Sequence, residues 1–185
     1  QPLTEQRTKK LNNPRDRISW YQSVAFARWL NHRLKGLELA HPSGSGVLRV
    51  GANAEIRLPL EWEWQWAAQN GVEERAFPFG DWQEGFANTS EVGLSRAVAV
   101  GMYPHAGAEC GALDMAGNLW EWCLNDYKLP DTISIINNKE KVLRGGSFDL
   151  NRHGAACACR LNDNPHLRLN YYGFRVVVSA PISAL

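Results

Sequence analysis

"VLRGGSFDLNRHGAACACRLNDNPHLRLNYYGFRVV" occupies residues 142–177. Its ends and its middle follow different rules. "KVLRGGS" (141–147) and "GFRVVVS" (173–179) are rich in β-branched residues and read as strands. Between them no regular spacing of apolar residues survives. Asp, Leu, Arg and His alternate with small residues, and then Leu, His and Tyr are scattered among Asn. An unpatterned segment between two regular ends is the feature that any account of this chain has to explain.

Upstream of this segment the text is more orderly. Ser19 and Gln22 form a capping box, in which each side chain meets the other residue's free backbone N–H. Trp20, Val24, Ala27, Leu30 and Leu34 recur at three- and four-residue spacing, so a helix with one apolar face runs from there to Gly36. Residues 41–55 read as a loop or hairpin, and Ile56 to Leu58 as a short strand. Pro59 suits the opening of a second helix, "LEWEWQWAAQNG", that stops at Gly71, with Trp62 and Trp66 one turn apart on one face. Residues 88–107 are loop-rich with one strand candidate, "AVAVGMY". Gly117-Asn118 invites a turn between the two apolar runs of "GALDMAGNLWEWCLNDY". Helices come early, and short strands and loops come late. This is an α+β pattern in a single domain, residues 18–185, preceded by an extended polar arm, residues 1–17.

The totals narrow the function. Hydrophobic residues make up 44% and charged residues 21% of 185, ordinary for a globular protein. A net charge of +1 leaves no electrostatic footprint for nucleic acid. No run of eighteen apolar residues is present to form a transmembrane helix. Cys110, Cys123, Cys157 and Cys159 form no CxxC pair and have no His at zinc-finger spacing. That usage slightly favours a reducing, cytoplasmic setting. The chain does not begin with Met, so further residues are expected upstream of Gln1, and display at a cell surface would need such a segment. The eight Trp suit the core of a fold that is poor in regular structure.

Six stretches, "ISWYQSVAFARWLN", "IRLPLEWEWQWAA", "FPFGD", "GALDMAGNLWEWCLN", "VLRGGSF" and "GFRVV", occur in that order and span about Ile18 to Ser179. Together they resemble the formylglycine-generating-enzyme (sulfatase-modifying factor) superfamily. The resemblance implies a C-type-lectin-like fold with two helices, short antiparallel strands and long loops. Two departures stand out. The opening strands usual in that family are absent or lie within residues 1–17. Leu60 stands where a Thr or Ser helix cap is common, which predicts a weaker start to the second helix.

The resemblance divides into two functional branches. The oxidase branch needs copper(I)-binding cysteines at the third and eighth positions after "GGS", and here those positions are Leu150 and Ala155. Cys157 and Cys159 lie nearby but out of register. A C-x-C on a strand would place both thiols on one face, which keeps a thiol or copper oxidase as the alternative. The second branch comprises the variable proteins of diversity-generating retroelements. Such systems copy a template into the gene with errors at adenines, mostly in Asn codons. Randomising the two adenines of AAC or AAT cannot produce Lys, Glu, Gln, Met or Trp. Residues 148–172 contain none of these five, whereas the other 160 residues contain 34. Composition alone predicts about five in the stretch, and their complete absence has a chance on the order of a fraction of a percent.

The second branch therefore implies a non-enzymatic binding module for a macromolecular ligand, expected to be a protein, with no cofactor required. Its expected contact positions are Phe148, Asp149, Leu150, Arg152, His153, Gly154, Ala156, Cys157, Cys159, Leu161, Asp163, His166, Leu167, Leu169, Tyr171 and Tyr172. Tyr171 and the Leu cluster are the expected anchors, because Tyr offers large contact area at low entropic cost. Arg160, Pro165, Arg168, Gly173, Phe174 and Arg175 match the family's framework. An Arg in such a stretch can pin a loop by donating to several carbonyls. The oxidase resemblance also implies a structural calcium held by Asp114, Gly117, Leu119 and Glu121. The competing expectation is that these carboxylates cap the turn or pair with an Arg such as Arg144. A calcium-dependent lectin is a third reading, but Asp149, Asp163 and the nearby Asn supply few carboxylates for it.

Overall fold

The computed structural model describes residue 5, residues 11–72 and residues 74–182. Most of the arm expected at residues 1–17 lies outside them. Its described end rests on the domain: Asn12 accepts at its carbonyl from the Val100 N–H (2.8 Å), and Asp16 is buried.

Helix α1 spans Trp20–Arg33, and the Ser19–Gln22 capping box forms as the sequence predicts. A surface hairpin follows, β1 (Glu38–Ala40) with β2 (Val47–Arg49). Strand β3 (Glu55–Arg57) leads into α2 (Glu61–Gln69). Leu60 gives α2 no side-chain cap, but other groups meet the need. Glu63 reaches back to the Leu60 N–H (2.8 Å), and Asn125 accepts from the Glu61 N–H (2.8 Å). The expected strand at "AVAVGMY" does not form; residues 97–103 are loop. Their edge is used locally instead, with the Asn118 side chain bonding the backbone of Val98 on both sides.

Strand β4 (Trp120–Asp126) is central. It pairs antiparallel with β5 (Lys141–Arg144), and β5 pairs antiparallel with β6 (Arg160–Asp163). On its other side β4 runs parallel to the short β7 (Tyr172–Gly173). The final strand β8 (Val177–Ser179) returns to pair antiparallel with β3, the strand that leads into α2. Gly117 and Asn118 both take positive φ and make the expected turn, but the run before it is not a strand. A Cβ on Gly117 would lie 2.5 Å from the Asn88 carbonyl oxygen, so only glycine permits this approach.

The main core holds Trp20, Val24, Leu58, Trp120, Trp122, Leu124, Leu143 and Tyr172. A second cluster holds Trp64, Cys123, Val142 and Cys157. Buried indoles find acceptors: Trp20 donates to the Cys123 carbonyl, Trp122 to that of Ile18 and Trp64 to Glu121. Four of the eight Trp are thus core. Trp29, Trp62 and Trp66 are exposed, contrary to a general core-filling role. Lys141 is fully buried against Asp126, with Ser134 O at 2.8 Å and the Trp20 ring 4.3 Å away. These additional contacts offset the desolvation that a buried ammonium suffers.

Candidate functional site

The segment from Phe148 to Tyr172 leaves the end of β5 through Gly145 and Gly146, both at positive φ. A Cβ on Gly146 would meet Gly154 O at 2.6 Å and the Ala155 Cα at 2.8 Å. The returning chain therefore crosses directly over this glycine. The segment has more regular structure than its sequence suggests. Residues Arg152–Ala155 form a 3-10 turn, and Arg160–Asp163 form β6. The backbone hydrogen bonds of β6 are set by β5, so a varied side chain there leaves the pairing intact.

The rest of the segment is held largely by groups outside it. Arg144 donates to the carbonyls of Cys157 (2.7 Å) and Ala158 (3.2 Å), and to Gln65 (2.6 Å). The Cys157 N–H donates to Ala76 O, and the Ser90 N–H donates to Leu150 O. Glu91 accepts from the Arg152 N–H (2.8 Å). Phe148 donates to Asn118 O, Trp20 donates to Pro165 O, and Trp120 donates to Tyr171 O. In the segment itself these bonds use backbone atoms, which every residue type supplies. Two of the four asparagines in the stretch, Asn151 and Asn164, cap local turns, accepting from the N–H groups of His153 and His166. Arg160 pins through a side chain, with two bonds to Glu61 (2.7 and 2.6 Å) and one to Tyr127 O.

The expected contact positions divide into three groups. Phe148, Cys157 and Tyr172 are buried, at 3%, 0% and 2% exposure, so they belong to the frame and offer no surface. This corrects their place among the contact positions; each fills a core cluster. Asp149, Leu150, Arg152, His153, His166 and Leu167 are exposed. Gly154, Ala156, Cys159, Leu161, Asp163, Leu169 and Tyr171 are half-buried. The leucines therefore separate: Leu150 and Leu167 face outward, whereas Leu161 and Leu169 pack against the main core. Asp163 accepts from the Tyr172 hydroxyl (2.6 Å). Burial pushes the Tyr171 hydroxyl up, helped by the charges of Asp149 and Asp163 beside it. The His166 ring packs on Tyr21 at 4.8 Å between centroids.

Cys157 and Cys159 are not presented together on one face. Residues 156–158 form a bend and turn, so the C-x-C is not on a strand as expected. Cys157 points into the cluster with Trp64 and Cys123, while Cys159 packs against the other cluster. Burial pushes the Cys157 thiol up to about 11 and also raises Cys159. Both shifts work against thiolate chemistry near neutral pH. Leu150 and Ala155, at the positions of the oxidase cysteines, carry no donor.

Asp114, Leu119 and Glu121 border one cavity of about 390 Å³, which Gly117 does not line. Arg175 projects among them. It bonds both Glu121 carboxylate oxygens and donates to the carbonyls of Leu113 (3.0 Å) and Asp114 (3.2 Å). Glu121 also accepts from Trp64 (2.7 Å), and Asp114 from the Gly101 N–H (2.7 Å). As arranged, the donors do not fit calcium, because a guanidinium already engages the carboxylate and carbonyls that a dication would need. The expected Arg partner is Arg175 and not Arg144, whose guanidinium is drawn to the 157 and 158 carbonyls. The framework role expected of Arg175 was legible in "GFR"; its partner was not.

Comparison with known proteins agrees with this architecture. Residues 2–180 match the sulfatase-modifying factor enzyme 1-like domain. The chain belongs to that family. It is 26% identical to the mouse (Mus musculus) formylglycine-generating enzyme over 205 aligned residues, covering 94% of this chain and 55% of the relative. The chain thus spans about half the length of that relative. Among solved structures, Treponema denticola variable protein 1 shares the fold at TM-score 0.67 and 21% identity, over 96% of this chain and 76% of that one. The Major Tropism Determinant U1 variant aligns at TM-score 0.53 and 14% identity, over 88% of this chain and 37% of that one. The fold is therefore shared with formylglycine-generating enzymes and with proteins named as a variable protein and a tropism determinant.

Proposed function

We propose that this chain is a non-enzymatic binding module whose surface, within residues 148–172, is diversified by a retroelement to recognise changing protein targets. One observation carries the reading. None of the five residue types that adenine-directed mutation of Asn codons cannot produce occurs in these 25 residues, against 34 in the other 160. The bonding pattern supports it. Backbone groups outside the stretch, with the Arg144 and Glu91 side chains, hold its main chain, so sequence change at Leu150, Arg152, His153, His166 and Leu167 leaves those bonds in place. Surface substitutions of this kind usually shift stability by no more than about 0.5 kcal/mol. The likeness to a variable protein and a tropism determinant supports the same reading.

Sequencing the coding region and its flanking DNA across many isolates of the source population tests it. The expected result is a near-copy of the 142–177 coding stretch that differs only at adenines, together with variation between isolates at the exposed positions. A stretch that is invariant across isolates, with no template copy, would overturn the reading.

A further inference from the structure

Thirteen of the sixteen expected contact positions retain exposed surface, and only six of them are open to solvent. A standard protein–protein interface uses roughly 20–30 residues a side. If the proposed function holds, fixed residues must complete the footprint. The outer face of α2 offers them. Trp62 and Trp66 are 65% and 58% exposed, one turn apart, while Trp64 between them is buried. They flank a shallow cavity of about 310 Å³ lined also by Gln65, Gln69 and Gly71. Gly71 makes room for the Trp66 indole, since a Cβ there would lie 3.1 Å from its ring nitrogen.

This shelf adjoins the variable stretch through direct bonds. Glu61, the residue before Trp62, holds Arg160 at the start of β6. Gln65, between the two indoles, accepts from Arg144, which in turn holds the Cys157 and Ala158 carbonyls. Gln65 also donates to Gln69 (3.0 Å), so the cavity floor is a polar network whose bonds are already made. A floor of that kind offers a ligand little new hydrogen bonding and leaves the indole faces as the available contact. Exposed Trp next to a polar rim is the composition that protein interfaces concentrate at their energetic centres.

We infer that Trp62 and Trp66 are invariant anchors of the same protein-binding footprint, contacting the ligand beside the varied positions. The fixed indoles supply affinity that does not depend on the outcome of diversification, and the varied positions supply discrimination. This rests on the function proposed above, and the test separates the two.

A display library of the full chain, randomised at Asp149, Leu150, Arg152, His153, His166 and Leu167, would be selected against hen lysozyme as an arbitrary folded protein. Binders would then be remade with Trp62→Ser and Trp66→Ser, and separately with Trp62→Phe and Trp66→Phe. The expected result is an affinity loss of about tenfold or more with Ser, a smaller loss with Phe, and an unchanged melting temperature. Affinities kept within about twofold by the Ser variants would overturn the inference while leaving the variable surface standing. Failure to obtain binders from a folded library would overturn the proposed function and this inference together. A concentration-dependent dimer of the parent chain, broken by the same Ser changes, would assign the shelf to self-association and overturn it as well.

Discussion

Strands β4 and β5 and the stretch from Phe148 to Tyr172 lie side by side, yet they use their residues differently. In β4 and β5 every residue is buried, and side chains determine the packing. In the stretch, burial is confined to scattered anchors such as Phe148, Ala155, Cys157, Pro165 and Tyr172, with exposed residues between them. The main chain of the stretch is hydrogen-bonded along much of its length, largely to groups outside it: backbone atoms together with the Arg144 and Glu91 side chains. A surface can tolerate arbitrary sequence when its backbone is held by groups that do not vary. Arg144 joins the two regions. It belongs to β5, it is 1% exposed, and it spends its guanidinium on the carbonyls of the stretch.

The most severe way to break this arrangement is Arg144→Met. The Cys157 and Ala158 carbonyls would lose their donor, and Gln65 would lose a charged partner. Each buried group left unsatisfied costs about 1–3 kcal/mol, so a total of about 3 kcal/mol or more is expected. That corresponds to a fall of roughly 6–12 °C in melting temperature for a chain of this size. A fall of under about 2 °C would show that the stretch does not depend on the frame. Gly146→Ala should follow, at about 2 kcal/mol, from its positive φ and from contact with the 154–155 backbone. Chemical denaturation read by tryptophan fluorescence measures both.

A third test divides the stretch itself. Leu169 and Tyr171 pack against the core, so Ala at either should cost about 1–2 kcal/mol in thermal unfolding. Leu150→Asp and Leu167→Asp should cost no more than about 0.5 kcal/mol. A sequence reading that treats all the leucines and Tyr171 as free surface expects no melting shift at any of them. Equal costs at all four sites would erase the distinction between anchor and surface.

The sequence revealed the frame better than the surface, for physical reasons. The α1 capping box, the Gly117-Asn118 turn, the β5 strand and both helices follow from local rules, because their stabilising partners lie within a few residues. The family motifs placed the whole architecture. What failed depends on contacts across long separations. Strand β6 shows no alternation because its pairing comes from β5 and not from its own apolar pattern. Cys157 and Phe148 look like their neighbours in the unpatterned segment, and only the three-dimensional path turns them inward. The pairing of Arg175 with Glu121 spans 54 residues, and no spacing rule points to it. The exposure of Trp62 and Trp66 against the burial of Trp64 was half-legible. Their spacing put the first two on one face, but apolar character suggested the core.

The buried thiol gives a smaller, pH-dependent test of the same comparison. Cys157 holds its proton up to about 11 in the folded chain, against 9.0 for an ordinary thiol, chiefly because burial penalises the thiolate. The folded state therefore binds this proton more tightly than the unfolded state does. The resulting stabilisation is complete below about pH 9 and is lost as pH rises from 9 towards 11. Its full size is on the order of 2 kcal/mol. Cys157→Ala should flatten this part of the stability profile, with Cys123 contributing in the same direction to what remains. An identical alkaline decline in the variant would mean that Cys157 is not the anchored residue its burial indicates.

The smallest expected effect concerns the turn beside the frame. Asp114 and Glu121 face Arg175, which bonds Glu121 at both oxygens and two neighbouring carbonyls. For calcium to bind there, the guanidinium would have to leave four acceptors and lose its own solvation partners. Millimolar calcium or EDTA should therefore leave the melting temperature within about 1 °C of its value without either, since a ligand stabilises only what it binds. Arg175→Met provides the contrast. Two carboxylates would then share a partly buried cavity with no cation, and calcium should recover part of the lost stability. A rise with calcium in the unsubstituted chain would mean that Arg175 and a metal share the site. The cation holding the frame would then be partly exchangeable, while the pins on residues 148–172, all of them protein groups, would not.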